Sequence, residues 1–287
     1  MLPTDGHVHS EWSWDATEGS MERTCVSALK LGLSGIAFTE HADFGGWAVL
    51  ASDLGDYPHL RRFVVEDSSS GGPVGGTLRP PPLNAAGYLA AVERCREQFP
   101  LFRILSGVEI GEPHWHRDAV TALLKSGRFD RVIGSLHCLK ADGETSEMPN
   151  LFRQCEPAEV VHDYLAELVR LIEGSDRFEV LGHIDYVVRY WPDRAAPFAV
   201  AEFEDEFRHV LRTLAGGERV LELNTRGPAL PEMVRWWREE GGRALSFGSD
   251  AHAPSGVGRA FPEAAIVART EGFQQRDSAT GFWFVGG

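Results

Sequence analysis

DGHVHSEWSWD, residues 5–15, sets His7 and His9 two positions apart at the end of a short β-prone run and follows them with aromatic and acidic residues. Alternate residues of an extended chain project to the same side, so both imidazoles would face one point. Neutral imidazole is the usual nitrogen donor to borderline cations such as Zn²⁺, Mn²⁺ or Fe²⁺, which also take carboxylates. In a chain with 11 histidines one such pair is a weak signal, and its meaning depends on what ends the other strands.

Short β-rich packets recur along the chain: LPTDGHV (2–8), GIAFTE (35–40), FRILSGVEI (102–110), RVIGSLH (131–137), FEVLGHID (178–185), RVLELNT (219–225) and ALSFGSD (244–250). Between them, segments 20–33, 85–99, 156–174 and 199–217 place apolar residues at three- and four-residue intervals, as helices with one buried stripe do. About seven β/α units follow, which is the pattern of an α/β protein with a parallel sheet. Periodicity suits a closed barrel and an open doubly wound sheet equally. The polar residues favour closure: His7, His9, Glu40, His41, Glu109, His137, His183, Asp185, Glu222, Asn224, Asp250 and His252 all fall at or just beyond C-terminal strand ends. A barrel brings all those ends to one face, whereas an open sheet gathers only those near its switch point.

With 287 residues, 43% of them hydrophobic, the chain can furnish one large core, and a single domain over residues 1–287 is expected. No apolar run approaches the roughly 20 residues that cross a bilayer. MLPTDGHVHS has no secretory-signal pattern, and Cys25, Cys95, Cys138 and Cys155 show no paired spacing, so a cytoplasmic protein with reduced thiols is expected. A net charge of −14 argues against general nucleic-acid binding, which depends on Lys and Arg neutralising phosphates. Residues 43–84, with SSSGGPVGG and RPPP, have a composition poor for regular structure and read as a long loop or lid. The apolar tail GFWFVGG (281–287) should pack on the barrel or in a homodimer interface.

Further strand-end motifs convert the first signal into a constellation. TEHAD supplies His41, GVEIGEPHWH supplies Glu109, GSLHC supplies His137, GHIDY supplies His183, and GSDAH supplies Asp250 and His252. His59, His162 and His209 lie elsewhere, and His114 and His116 should open a helix rather than bind metal. The ordered series HVH, TEH, VE, SLH, GHID, SDAH resembles the PHP (polymerase and histidinol phosphatase) family over nearly the whole chain. The resemblance implies a distorted (β/α)7 TIM-like barrel with a metal site at the C-terminal strand ends, holding two or three divalent ions (Zn, Mn or Fe). It places a first ion on His7, His9, Glu109 and Asp250, a second on Glu109, His137 and His183, and a third on Asp15, His41 and His252. Some relatives have histidine at the position of Asp15, and an oxygen donor there tilts the third site toward Mn²⁺ or Fe²⁺. From its local sequence alone, Asp15 also reads as a helix N-cap.

Within the family, GHIDYVVRY and LELNTRG resemble the histidinol-phosphatase branch, which implies hydrolysis of L-histidinol phosphate, a small phosphorylated substrate. Arg189 and Arg226 then become candidate phosphate ligands, with Lys140 and Arg259 as weaker ones. Direct in-line attack of activated water is expected, since Ser135 and Cys138 lie in neither a CxxxxxR nor a GxSxG context. Asp185 could orient a ligand imidazole or protonate the leaving oxygen, joining Asp250 and His252 as candidate catalytic residues. Asn224 could orient a ligand or cap its strand, and the role of Glu40 is open. Trp12, Trp14, Asp43, Phe44 and Trp47 could recognise an imidazole and an ammonium. The alternatives are hydrolysis of a nucleotide, sugar phosphate or other small phosphate, a 3′-5′ exonuclease, which would need a basic track, and a non-enzymatic metal-holding module.

Overall fold

Seven parallel strands meet edge to edge and close on themselves in the computed structural model, which describes residues 2–50, 53–56, 58–65, 74–141, 143–227, 230–276 and 279–286. They are β1 (Asp5–Val8), β2 (Ile36–Ala42), β3 (Ile104–Gly111), β4 (Arg131–Ser135), β5 (Val180–Leu181), β6 (Val220–Asn224) and β7 (Ala244–Gly248). Each pairs with its successor, and β7 pairs back with β1. The crossovers and the segment after β7 carry α1 (Met21–Leu31), α2 (Ala85–Gln98), α3 (Arg117–Lys125), α4 (Pro157–Gly174), α5 (Glu204–Gly216), α6 (Pro231–Glu239) and α7 (Phe261–Thr270). Their apolar stripes face the barrel. In α4, for example, Val160, Val161, Tyr164, Leu165, Leu168, Leu171 and Ile172 are buried, the spacing a 3.6-residue period requires. The expected distorted seven-stranded barrel is therefore present.

Register does the positioning. The β2–β3 ladder sets His41 directly beside Glu109, and the β3–β4 ladder ends at Gly111 and Ser135, just before His137. The β1–β7 seam is short, with Asp5 opposite Phe247 and a bridge from Val8 to Ala251. A buried side chain supplements it. Asp5 Oδ1 accepts from Ser249 N at 3.0 Å, and Oδ2 accepts from Ser249 Oγ at 2.6 Å and Gly258 N at 2.9 Å. Lower down, the strand Trp283–Val285 pairs antiparallel with β7 and buries Trp283 completely, so the tail packs on the barrel.

The segment after β2 is more ordered than its composition suggests. Trp47–Leu50, Val64–Val65 and Val74–Leu78 join Glu144–Glu147 and Cys138–Ala141, from the chain after β4, in a five-stranded sheet. Residues 68–73, SSSGGP, lie outside the described residues. The insertion over 43–84, read in the sequence as a long loop or lid, thus carries short strands of its own. Val74–Leu78 pairs with Trp47–Leu50 and Val64–Val65 inside the segment, and Ala48 also pairs with Ser146 far along the chain, a pairing that no local propensity encodes.

Candidate metal centre

One carboxylate stands at the middle of the C-terminal face. Glu109, on β3, is 1% exposed, and its Oε1 lies 2.8 Å from His183 Nε2 and 3.2 Å from His137 Nε2. Its Oε2 lies 3.1 Å from His41 Nδ1, 3.2 Å from His7 Nε2 and 3.4 Å from His9 Nε2. Five imidazoles carried by β1, β2 and the ends of β4 and β5 thus point at a single side chain. The Nε2 atoms of His7 and His9 are 3.1 Å apart, so the HxH pair does converge.

Buried groups behind the imidazoles fix their orientation. The His7 Nδ1–H donates to Glu222 Oε1 at 2.7 Å, which turns Nε2 toward the centre. Glu222 Oε2 accepts from His183 N at 2.7 Å and from Asn224 Nδ2 at 3.0 Å, so one carboxylate on β6 steadies β1 and the end of β5. Ser13 Oγ donates to Glu40 Oε2 at 2.6 Å and therefore accepts from His9 Nδ1–H at 3.0 Å, which fixes that ring too. Glu40 also takes Ser10 N and Oγ at 3.0 and 2.5 Å. Its role, open in the sequence, is to brace the HxH loop. Ser135 Oγ donates to Glu109 Oε1 at 2.7 Å. Such outer partners govern ligand basicity and geometry in metal sites. Sequence reasoning had left Glu222 without a task. Its i, i+2 spacing with Asn224 at a strand end was the available signal.

The field at the centre is unusual for a buried cluster. Burial disfavours the charged form of His7, but Glu222, Glu109 and Asp250 outweigh it and hold the imidazole well above its ordinary pKa. Burial likewise opposes charge on His41 and His137, yet Asp15 and Glu109 raise the first, while Glu109 and Asp43 push the second to about 10. His9 is driven down by burial and by neighbouring His41 and His252, and His183 by burial. Despite burial, Glu109, Asp250 and Asp15 all fall below the usual carboxylate range because of the cations and imidazoles around them. Among the described residues, Glu109 Oε2, with three imidazole nitrogens within 3.4 Å, accepts no hydrogen bond, and His41 Nδ1 and Asp15 Oδ1 are likewise buried without a hydrogen-bond partner. Buried donor atoms left unsatisfied at such a crowded centre are what divalent cations would satisfy. The donor set fits them. His7, His9 and Glu109 form one group of converging ligand atoms, Glu109, His137 and His183 a second, and His9, His41 and His252 a third.

Around that third group, Asp15 Oδ2 lies 3.1 Å from His252 Nε2 and 3.5 Å from His41 Nε2. Asp250 adopts a left-handed backbone (φ 52°) and sets Oδ1 3.4 Å from His9 Nε2 and 3.9 Å from His7 Nε2. Both arginines singled out in the sequence meet it: Arg189 Nη1 at 2.7 Å from Oδ2, and Arg226 Nη1 at 3.1 Å from Oδ1. Among the described residues, Arg189 Nε and Nη2 are buried without a hydrogen-bond partner. A cavity of about 330 Å³ beside Asp250 and His252 is also lined by Arg226 and Arg259.

Other expected residues sort differently. Lys140, a weaker phosphate candidate in the sequence, packs its ammonium 4.3 Å over the Trp115 ring. His114 Nε2 is tied to Glu167 on α4 at 2.7 Å, and His116 sits against Gly45 and Phe44. Trp12 packs on Gly87 of α2, whereas Trp14 joins Trp47 and Phe63 and donates to Asp43 Oδ2 at 2.9 Å. Trp47 is buried, so this aromatic group plugs the barrel end beside His41. Asp185 is buried next to Arg189, and among the described residues it makes no hydrogen bond to an imidazole. Asn224 braces Glu222 and accepts from Arg226 N at 2.9 Å. Cys138 is a buried thiol that burial raises well above its ordinary pKa.

A parallel barrel with imidazoles and carboxylates gathered at its C-terminal rim defines a metallohydrolase-like architecture, and the profile of the PHP domain family matches residues 5–226. The chain belongs to the PHP domain family. It is 25% identical over 289 residues to the histidinol-phosphatase of Lactococcus lactis subsp. lactis (strain IL1403), covering 98% of this chain and 96% of that one. It is 32% identical to a protein of Thermotoga maritima named as a probable histidinol-phosphatase, over 90% of this chain and 88% of that one. Its fold matches the crystal structure of histidinol phosphate phosphatase from Lactococcus lactis subsp. lactis Il1403 complexed with Zn, L-histidinol and phosphate. There the TM-score is 0.76 at 23% identity, with 98% of each chain covered.

Proposed function

We propose that this protein is a metal-dependent phosphoric monoester hydrolase that converts L-histidinol phosphate and water to L-histidinol and phosphate, a reaction of histidine biosynthesis. The observation that carries the chemistry is Glu109, ringed by five imidazoles within 3.4 Å and flanked, through Asp250, by two guanidinium groups. The choice of substrate rests on full-length relatives that bear the histidinol-phosphatase name. Residues 1–287 are read as one PHP domain acting in the cytoplasm; among the described residues no helix is long and apolar enough to cross a membrane.

Two or three divalent ions, zinc, manganese or iron, are assigned to His7, His9, Glu109 and Asp250, to Glu109, His137 and His183, and to Asp15, His41 and His252. Bound there, such ions acidify water, neutralise phosphoryl oxygens and steady a departing alkoxide. The chain does the rest. Arg189 and Arg226 would leave Asp250 in part to take two phosphoryl oxygens, as a planar fork of donors suits. Water attacks phosphorus in line as the bond to the leaving oxygen breaks. Asp185, raised to about 6 by burial, is assigned the delivery of a proton to that oxygen from its protonated fraction, and the proton lost by the attacking water restores it. No phosphoenzyme is invoked, because Ser135 is committed to Glu109 and the Cys138 thiol is held protonated.

The test is phosphate release by protein reconstituted with zinc or manganese, with histidinol phosphate set beside nucleotides and sugar phosphates. Histidinol phosphate should give the highest kcat/KM. Preference for a sugar or nucleotide phosphate would overturn the substrate, and inertness toward every monoester would overturn the reaction class.

A further inference from the structure

We infer that Glu112 is a positioning residue for the second metal position, holding His137 in reach of Glu109 through the main chain. The inference rests on the reading of His137 as a ligand. His137 lies in the two-residue gap between β4 and Cys138–Ala141, where the chain leaves the barrel and enters the five-stranded side sheet. Barrel pairing ends one step earlier, at Gly111 and Ser135, so no strand partner sets the direction of the next peptides. Glu112 fills that place. Its own N–H donates to Ser135 O at 2.9 Å, and its Oε1 accepts from His137 N at 2.6 Å and from Cys138 N at 2.9 Å. A side-chain oxygen thus continues the β3–β4 ladder past its last rung. With both amides held, His137 Nε2 stands 3.2 Å from Glu109 Oε1 and 3.4 Å from His183 Nε2.

Two further observations point the same way. Glu112 is 7% exposed and adopts a left-handed backbone, φ 45°, which a residue with a side chain rarely takes. Glycine is the natural occupant of such a conformation, and a glutamate there is explained by what its carboxylate does. The loop that carries it is anchored at a distance: Glu112 O accepts from Trp115 N at 2.9 Å, and Trp115 Nε1 and His114 Nε2 both meet Glu167 Oε1 on α4, at 2.9 and 2.7 Å. The clasp is therefore fastened to a helix on the barrel wall. It does not depend on the ions it serves.

Glycine suits the left-handed backbone, which offsets in part the cost of about 1–3 kcal/mol for each of the two amides left without an acceptor, so Glu112→Gly should fold with a lowered melting temperature while losing the clasp, and Glu112→Gln should keep an acceptor oxygen without the charge. The experiment is titration of the metal-free proteins with Co²⁺, followed by the visible absorption of bound cobalt, with thermal melting and steady-state kinetics alongside. Outer-shell partners of metal ligands typically carry about 10–100-fold in affinity or activity. Glu112→Gly should weaken one class of Co²⁺ site by about tenfold or more and lower kcat with KM unchanged, while still unfolding in a single cooperative transition above the assay temperature. Glu112→Gln should restore most of the affinity. Parental Co²⁺ affinity and spectrum in Glu112→Gly would overturn the inference, and so would Glu112→Gln as impaired as Glu112→Gly, since charge rather than an acceptor would then be what matters. Failure of the parent to hydrolyse histidinol phosphate would sink the assigned function while leaving the cobalt titration able to decide this one.

Discussion

His7 Nδ1 meets Glu222 Oε1 at 2.7 Å across 215 residues of sequence, and neither side chain is exposed to solvent. That contact keeps a proton on Nδ1, so that Nε2 is the nitrogen a cation would take, and Glu222 simultaneously holds the His183 amide. Glu222→Ala should therefore weaken metal binding by about 10–100-fold, the range for removing such partners. Metal content after dialysis against graded zinc is the measurement. Full retention at limiting zinc would show that packing alone orients the ring.

Removing a proposed ligand should act on the chemistry more than on the fold. Asp250→Asn and His137→Ala are each expected to lower kcat by about a hundredfold or more, since a single preorganised electrostatic contact is commonly worth about 10²–10³. Circular dichroism should be little changed. Near-normal turnover in both variants would remove these residues from the centre.

The two arginines should separate. Arg189 is 9% exposed and Arg226 46% exposed, although both pair with Asp250. Arg226→Ala should mainly raise KM, whereas Arg189→Ala strands a buried carboxylate and should lower kcat as well. Inorganic phosphate inhibition checks this, with a weaker inhibition constant expected in both. Unchanged KM, kcat and phosphate inhibition in Arg226→Ala would exclude it from substrate binding.

Proton competition follows from the raised imidazoles. His7, His41 and His137, the last at about 10, favour the protonated state when no cation is bound. Their folded values lie above the unfolded one, so the stabilisation they give the metal-free protein is complete below about pH 6.5 and fades as pH rises through the folded values. Metal binding must expel these protons, and affinity should fall from pH 8 to pH 6. Calorimetric zinc titration in two buffers of different ionisation enthalpy should count more than one proton released. Zero release would contradict the electrostatics of the cluster.

Barrel closure depends on Asp5 at the β1–β7 seam. Asp5→Ala leaves the amides of Ser249 and Gly258 without their buried acceptor, at a cost of about 1–3 kcal/mol for each stranded group. A loss of roughly 3 kcal/mol in urea unfolding is expected. A change below about 1 kcal/mol would mean that the strand ladder closes the barrel unaided.

Much of this centre was legible in the linear chain. Alternating strands and helices define a parallel barrel, and in such a barrel every C-terminal strand end faces one rim, so His7, His9, His41, Glu109, His137, His183, Asp250 and His252 could be gathered from their positions alone. The chain alone could not say who stands behind them. Glu40 bracing Ser13, Glu222 fixing His7, Glu112 clasping His137 and Lys140 turned aside onto Trp115 are all contacts between separate elements, and they depend on register and on which side of a turn a side chain emerges. The same holds for the 43–84 insertion, whose strand Trp47–Leu50 joins the larger sheet only because the segment after β4 comes alongside. Periodicity is a local property and survives in the sequence, whereas these pairings exist only once distant backbones have been brought to fixed distances.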